Sequence, residues 1–189
     1  FKDCARLEEI KLSDSLKNVP INAFNGCESL NSLTITSNVK KIGNNAFKGC
    51  KAIRTLVLPE SITEVGTGAF MNCSSMTAVK LPYTVNVISD SMFENCSSIK
   101  NITIPTTINT VGANAFKGCT SITEVDVPAK HILGKSKRAT MRVKATAAIS
   151  SYINIGAGAF ENCVNIKTVR LPSSVKLIDS NAFANCSNL

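Results

Sequence analysis

One short phrase constrains this chain more than any other feature. It reads Ala46-Phe47-Lys48-Gly49-Cys50, and its Phe and Cys recur as Phe24 and Cys27, Phe70 and Cys73, Phe93 and Cys96, Phe116 and Cys119, Phe160 and Cys163, and Phe183 and Cys186. Phe1 and Cys4 begin the series, so all 8 Phe and all 8 Cys fall in the phrase. Successive Phe residues stand 23 apart except between Phe116 and Phe160, where the gap is 44. A fixed period of this length specifies an array of units, each burying its apolar face on its neighbours. The reading is therefore one solenoid over residues 1–189, interrupted once.

The rest of each unit follows from phase. With Phe as position 1, apolar residues recur at position 7 (Leu30, Ile53, Ile99), position 10 (Leu56, Val79, Val125) and position 12 (Leu58, Leu81, Val127). Positions 10 and 12 alternate with polar residues, which predicts a short strand. Pro59, Pro82, Pro105, Pro128 and Pro172 follow at position 13, where a residue with no N–H ends the strand. Apolar residues at positions 16 and 19 predict a second extended stretch. Gly43, Gly66, Gly112 and Gly156 come next and require either a left-handed turn or a close backbone approach. The Ala-Phe-x-x-Cys phrase is too short for a stable helix, and one helical or 3-10 turn is expected there. Stacked coils would then share a parallel sheet.

Eight cysteines invite a disulfide framework. Their single phase argues for a column with parallel Cβ vectors, rising about 4.8 Å per coil. Disulfides need Cβ atoms about 3.5–4.5 Å apart and turned toward each other. Buried free thiols acting as small hydrophobes are expected. No CxxC pair supports a zinc site.

At this point the chain resembles a known family. The pattern Phe-x-x-Cys-x-x-Leu-x-x-Leu-x-Leu-Pro-x-x-Val-x-x-Ile-Gly-x-x-Ala is similar to the BspA-like, treponemal-type leucine-rich repeat. It covers nearly the whole chain except residues 129–149. Local departures are Pro20, Ser89 and Asp179 in place of Gly, and Ser13 and Thr36 in place of Pro. The resemblance implies an α/β-type, β-rich repeat solenoid, right-handed and curved, with a parallel sheet on its concave face. It also implies a cell-surface or secreted protein, with adhesins for host matrix proteins among the relatives. Both ends fall in mid-repeat, where a polar cap is expected, so a piece of a longer chain is anticipated.

The net charge of +8 is uneven. Residues 129–149 carry Lys130, Lys135, Lys137, Arg138, Arg142 and Lys144 and no acid. They interrupt the sixth repeat, which resumes with Tyr152 at position 16 and Ile155 at position 19. Gly134 to Arg138 is turn-like, so a loop or hairpin projecting from one rim of the sheet is expected. It is either a solvated loop or a contact for an anionic ligand. Nucleic acid is disfavoured because no aromatic residue interleaves with the charges.

Catalysis has no cast. His131 is the sole histidine, the cysteines are committed to the core, and no GxGxxG or P-loop appears. Glu8-Glu9 reads as a solvated face. No cofactor or metal is called for, and no apolar run approaches the roughly 20 residues of a membrane span. Sequons occur at Asn72, Asn95, Asn101 and Asn185, three of them at one phase, where turn chemistry explains the Asn.

The expected interaction surface is the outward strand face, with Lys11, Thr34, Val57, Lys80, Thr103, Asp126 and Arg170 in one row. The insertion adds Lys135, Lys137, Arg138, Arg142 and Lys144. The leading reading is a monomeric, non-enzymatic binding or adhesion module. Its partner would be a protein or sulfated glycan, host extracellular matrix among the candidates. The alternative is a structural stalk that displays a neighbouring domain.

Overall fold

The computed structural model describes residues 1–128 and 152–189. The insertion, with His131 and the five candidate cations from Lys135 to Lys144, lies outside the described residues. Two strands form in each coil. The first series is β1 (Glu9–Lys11), β3 (Ser32–Thr34), β5 (Thr55–Val57), β7 (Ala78–Lys80), β9 (Asn101–Thr103), β11 (Glu124–Asp126) and β13 (Thr168–Arg170). The second is β2 (Asn18–Val19), β4 (Lys41–Ile42), β6 (Glu64–Val65), β8 (Val87–Ile88), β10 (Thr110–Val111), β12 (Ile153–Ile155) and β14 (Val175–Ile178). All pairings are parallel and, except at the start of β12, join equivalent positions, as in Thr55 with Ala78 and Ala78 with Asn101. The first series falls into three paired groups, β1–β3, β5–β7–β9 and β11–β13.

Proline does not set the strand length. β1 and β3 stop at the same position as β5, although Ser13 and Thr36 stand where β5 is followed by Pro59. What all share is a turn in which the position-13 carbonyl accepts the position-16 N–H, as in Ile62 to Pro59 (3.0 Å) and Leu16 to Ser13 (3.0 Å).

The core is a pair of columns. The eight Phe rings stack along the axis with centroids 5.2–5.8 Å apart and planes within 3–12° of parallel. The cysteines are free and stacked beside them, as expected from their phase. They do more than fill space. Each thiol from Cys27 on donates to the carbonyl of the Phe one coil back, as in Cys73 to Phe47 (3.2 Å) and Cys119 to Phe93 (3.1 Å). The same Phe carbonyls accept their own coil's Cys N–H, as in Cys50 to Phe47 (3.2 Å). Both lone-pair directions of a buried acceptor are thereby satisfied. No polar or charged residue among the described ones is fully buried.

The expected helical or 3-10 turn at this phrase does not form, and the backbone shows why. The residues two before and two after each Phe have positive φ, as in Asn45 (54°) and Gly49 (74°), or Ser91 (52°) and Asn95 (59°). Left-handed residues placed four apart interrupt any right-handed helix. Hydrogen bonding alternates to match. Asn22, Phe24 and Gly26 donate to Asn44, Ala46 and Lys48 of the next coil at 3.0, 2.7 and 2.8 Å. The intervening Ala23, Asn25 and Cys27 close turns within their own coil at 3.1–3.3 Å. A helix would keep all of these bonds inside one segment. The turn Asn residues also stack, with Asn95 Nδ2 donating to Asn72 Oδ1 (3.0 Å) and Asn185 Nδ2 to Asn162 Oδ1 (2.8 Å). The in-phase sequon asparagines are thus turn formers with committed side chains.

Close approach decides the other glycines. A Cβ on Gly43 would lie 2.6 Å from the Ile21 nitrogen, and one on Gly156 would lie 2.9 Å from that of Ala113. Neither glycine adopts a left-handed φ.

The insertion leaves the columns intact. Phe116 and Phe160 stack at 5.2 Å despite their separation in sequence. Ile155 keeps position 19, as read from the sequence, but the position-16 place is taken one residue later than expected. Ile153, not Tyr152, faces Val175 of the next coil and is buried (1% exposed), while Tyr152 is exposed under Lys176, whose Nζ sits 4.6 Å from its ring centre. Between Ile153 and Asn154 the register slips to restore the pairing of Ile155 with Ile178. The polar hydroxyl cannot enter the aliphatic column, so the next apolar residue takes the place.

Candidate interaction surface

Strand alternation builds the surface. Position 10 points inward, as at Leu56 and Val125, so positions 9 and 11 face outward. The structure brings Lys11, Thr34, Val57, Lys80, Thr103, Asp126 and Arg170 into one row, one residue per coil, all exposed. Register sets Lys11 beside Thr34, Val57 beside Lys80, Lys80 beside Thr103, and Asp126 beside Arg170.

The row is not uniformly available. Arg170 is ion-paired with Glu124 of the preceding coil. Sequence reading missed that pair because the insertion separates the two residues. At the other end Ser32 Oγ donates to Glu9 Oε1 (3.4 Å). Exposed pairs such as these hold position rather than supply much stability, each worth about 0–1 kcal/mol. Two neighbouring features were also missed. Tyr83 stands 63% exposed at the rim after β7, and Arg54 and Lys100 flank the row one position before β5 and β9. Only the position-by-position alignment of the coils would have revealed them.

The face is shallow. A groove of about 240 Å³ lies between Lys80, Tyr83, Thr103 and Pro105, and a depression of about 190 Å³ between Asn101, Glu124, Asp126 and Arg170. A roomier apolar space of about 440 Å³ is lined by Phe1, Leu12, Leu16 and Phe24 of the first two coils. The strand face has the breadth and small-residue texture of a macromolecular contact rather than of an enclosing small-molecule site.

Most of the buried thiols are held protonated by their surroundings. Burial pushes Cys50 and Cys163 up to about 12 and Cys119 well above the usual thiol range. In Cys73 the hydrogen bond with the Cys96 side chain, then burial, act in the same direction. A thiol so held stays protonated and inert.

Known proteins place this architecture. A family model for the BspA type leucine-rich repeat region matches residues 1–123 and 139–189 in six copies. The crystal structure of a T. pallidum leucine-rich repeat protein is similar with a TM-score of 0.78 and 26% identity, covering 96% of this chain and 77% of that one. A leucine-rich repeat protein from Eubacterium ventriosum is similar with a TM-score of 0.76 and 24% identity, covering 94% of this chain and 42% of that one. A third, from Bacteroides ovatus, has a TM-score of 0.51 and 20% identity over 100% of this chain and 73% of its own, a likeness of fold alone. No curated protein sequence matches. Matched by that model over most of its length, the chain belongs to the BspA-type leucine-rich repeat family.

Proposed function

We propose that this chain is a non-enzymatic binding module of a cell-surface or secreted protein, engaging a macromolecule through its strand face. The observation that carries this is the row from Lys11 to Arg170. Its side chains are exposed at fixed spacing on a backbone whose inward residues pack on the core, fully in the middle coils and partly at Ile10, Leu33 and Val169. A rigid, extended surface of this kind binds with little ordering cost. Family membership supports an interaction role, and the family resemblance supports a surface location and adhesion to host matrix. The basic segment 129–149 is a second, charge-based element of the proposal, suited to an acidic protein or a sulfated glycan.

The test compares the chain with a version lacking residues 129–149 and with a Lys80→Glu/Arg170→Glu variant. Each is screened on immobilised matrix proteins and heparin at about 150 mM salt, where screening acts over about 8 Å. Binding lost with the charge reversals assigns the strand face, and binding lost with the deletion assigns the insertion. Folded protein that binds nothing in all three forms would instead favour a stalk.

A further inference from the structure

Charge divides the strand face into zones. Positions 8, 9 and 11 of each coil face outward or flank the strand. In coil one they hold Glu8 and Glu9 with Lys11, and in coil six Glu124 and Asp126. Across coils two to five the same positions hold no carboxylate and three exposed cations, Arg54, Lys80 and Lys100. None of the three has an ion-pair partner among the described residues. The other residues there are Ser, Thr, Asn, Ala and Val57. A nearby rim carboxylate, Glu60, accepts the Tyr83 N–H (3.0 Å).

Spacing and texture define what fits. Coils three, four and five lie 5.5 and 5.8 Å apart by their Phe rings, so the cations span about 11 Å along the axis. That is the reach of about three or four residues of extended chain. Lys80 is flanked by two exposed apolar groups, Val57 (68%) and Tyr83 (63%), beside the groove of about 240 Å³. Unpaired cations on a rigid face attract anions, and exposed aliphatic and aromatic carbon beside them takes an apolar side chain. A sulfated glycan would meet the cations but brings no large apolar side chain for Val57 and Tyr83.

We infer that coils three to five dock an extended acidic peptide segment of a partner protein. Its carboxylates meet Arg54, Lys80 and Lys100, and one aliphatic or aromatic side chain lies against Val57 and Tyr83. Glu8 and Glu9 of coil one and Asp126 of coil six repel the same segment, Glu124 being paired with Arg170, and confine it to the middle of the face. This rests on the strand-face reading above and names the chemistry of its partner.

The test is panning of a phage-displayed library of random dodecapeptides on the whole chain, with heparin as a separate probe. Enriched peptides should be net acidic with at least one large apolar residue. Their affinity should fall about tenfold or more on an Arg54→Glu/Lys80→Glu/Lys100→Glu variant. It should fall about threefold or more on Val57→Ser/Tyr83→Ser, a change that leaves heparin binding unaltered. All substituted positions are exposed, and an unchanged circular dichroism spectrum verifies folding. Enrichment of neutral or basic peptides, or capture unaffected by the triple charge reversal, overturns the inference. Peptides that ignore the triple variant but are lost with Thr34→Arg/Thr103→Arg overturn this site and leave the strand-face reading standing. Absence of any peptide that depends on the face overturns both.

Discussion

The turn of coil two, from Phe24 to Cys27, and that of coil seven, from Phe160 to Cys163, are built alike, whereas strands β3 and β13 share no residue. The two sides repeat at the same interval under different constraints. On the turn side ring meets ring, thiol meets carbonyl and every second N–H meets a C=O of a neighbouring coil. A change there disturbs two interfaces at once. On the strand face only the inward residue is held, and the outward ones are free to vary. One side therefore stores the fold and the other is open to specificity.

Alkali should separate the two sides most sharply. The unfolded thiol loses its proton near 9.0, while Cys50 and Cys163 hold theirs to about 12. Each raised thiol contributes fully below pH 9 and loses about 1.4 kcal/mol per pH unit above it, as the unfolded state ionises first. Equilibrium unfolding followed from pH 8 to 11 should show a steep loss above pH 9. A flat profile would mean that water reaches the thiol column. A single deletion comes next. Phe70→Ala removes one ring from the stack and should cost about 3–5 kcal/mol in a denaturant titration. A smaller loss would show that neighbouring rings close the gap.

Gly66→Ala probes the close approach behind the turn. A Cβ there would meet the Asn44 nitrogen at 2.5 Å, so the coils must part and about 1–3 kcal/mol should be lost. Thr55→Ala on the strand face sharpens the contrast from the other side and should change the denaturant midpoint by no more than about 0.5 kcal/mol in equivalent stability. A loss as large as that of Gly66→Ala would erase the distinction between the sides.

Much of this was legible in the sequence because the period repeats the same evidence of burial. Phe and Cys recur without exception, so the period alone places their columns. The left-handed turns were harder. Their signal is spread over Asn, Gly, Asp3 and Ser91, four residue types that share only a tolerance or a local hydrogen bond. Ala-Phe-x-x-Cys also has the look of a helical turn, and only the alternation of bonds between and within coils excludes one. At Tyr152 counting failed, since burial and not residue number decides which side chain enters the core. On the face, alternation located the row, but the Glu124–Arg170 pair and the flanking Arg54 and Lys100 emerge only from lateral stacking.

The bonds between coils run along the axis, so tension applied to the two ends loads them in series. Coils should then rupture one after another, each freeing 23 residues, or about 80 Å of contour. The stretch from Phe116 to Phe160 is closed by the same ring contact as any other yet encloses nearly twice the chain. Its rupture would release close to double the length at an ordinary force, a step that sets this coil apart from every other in the array.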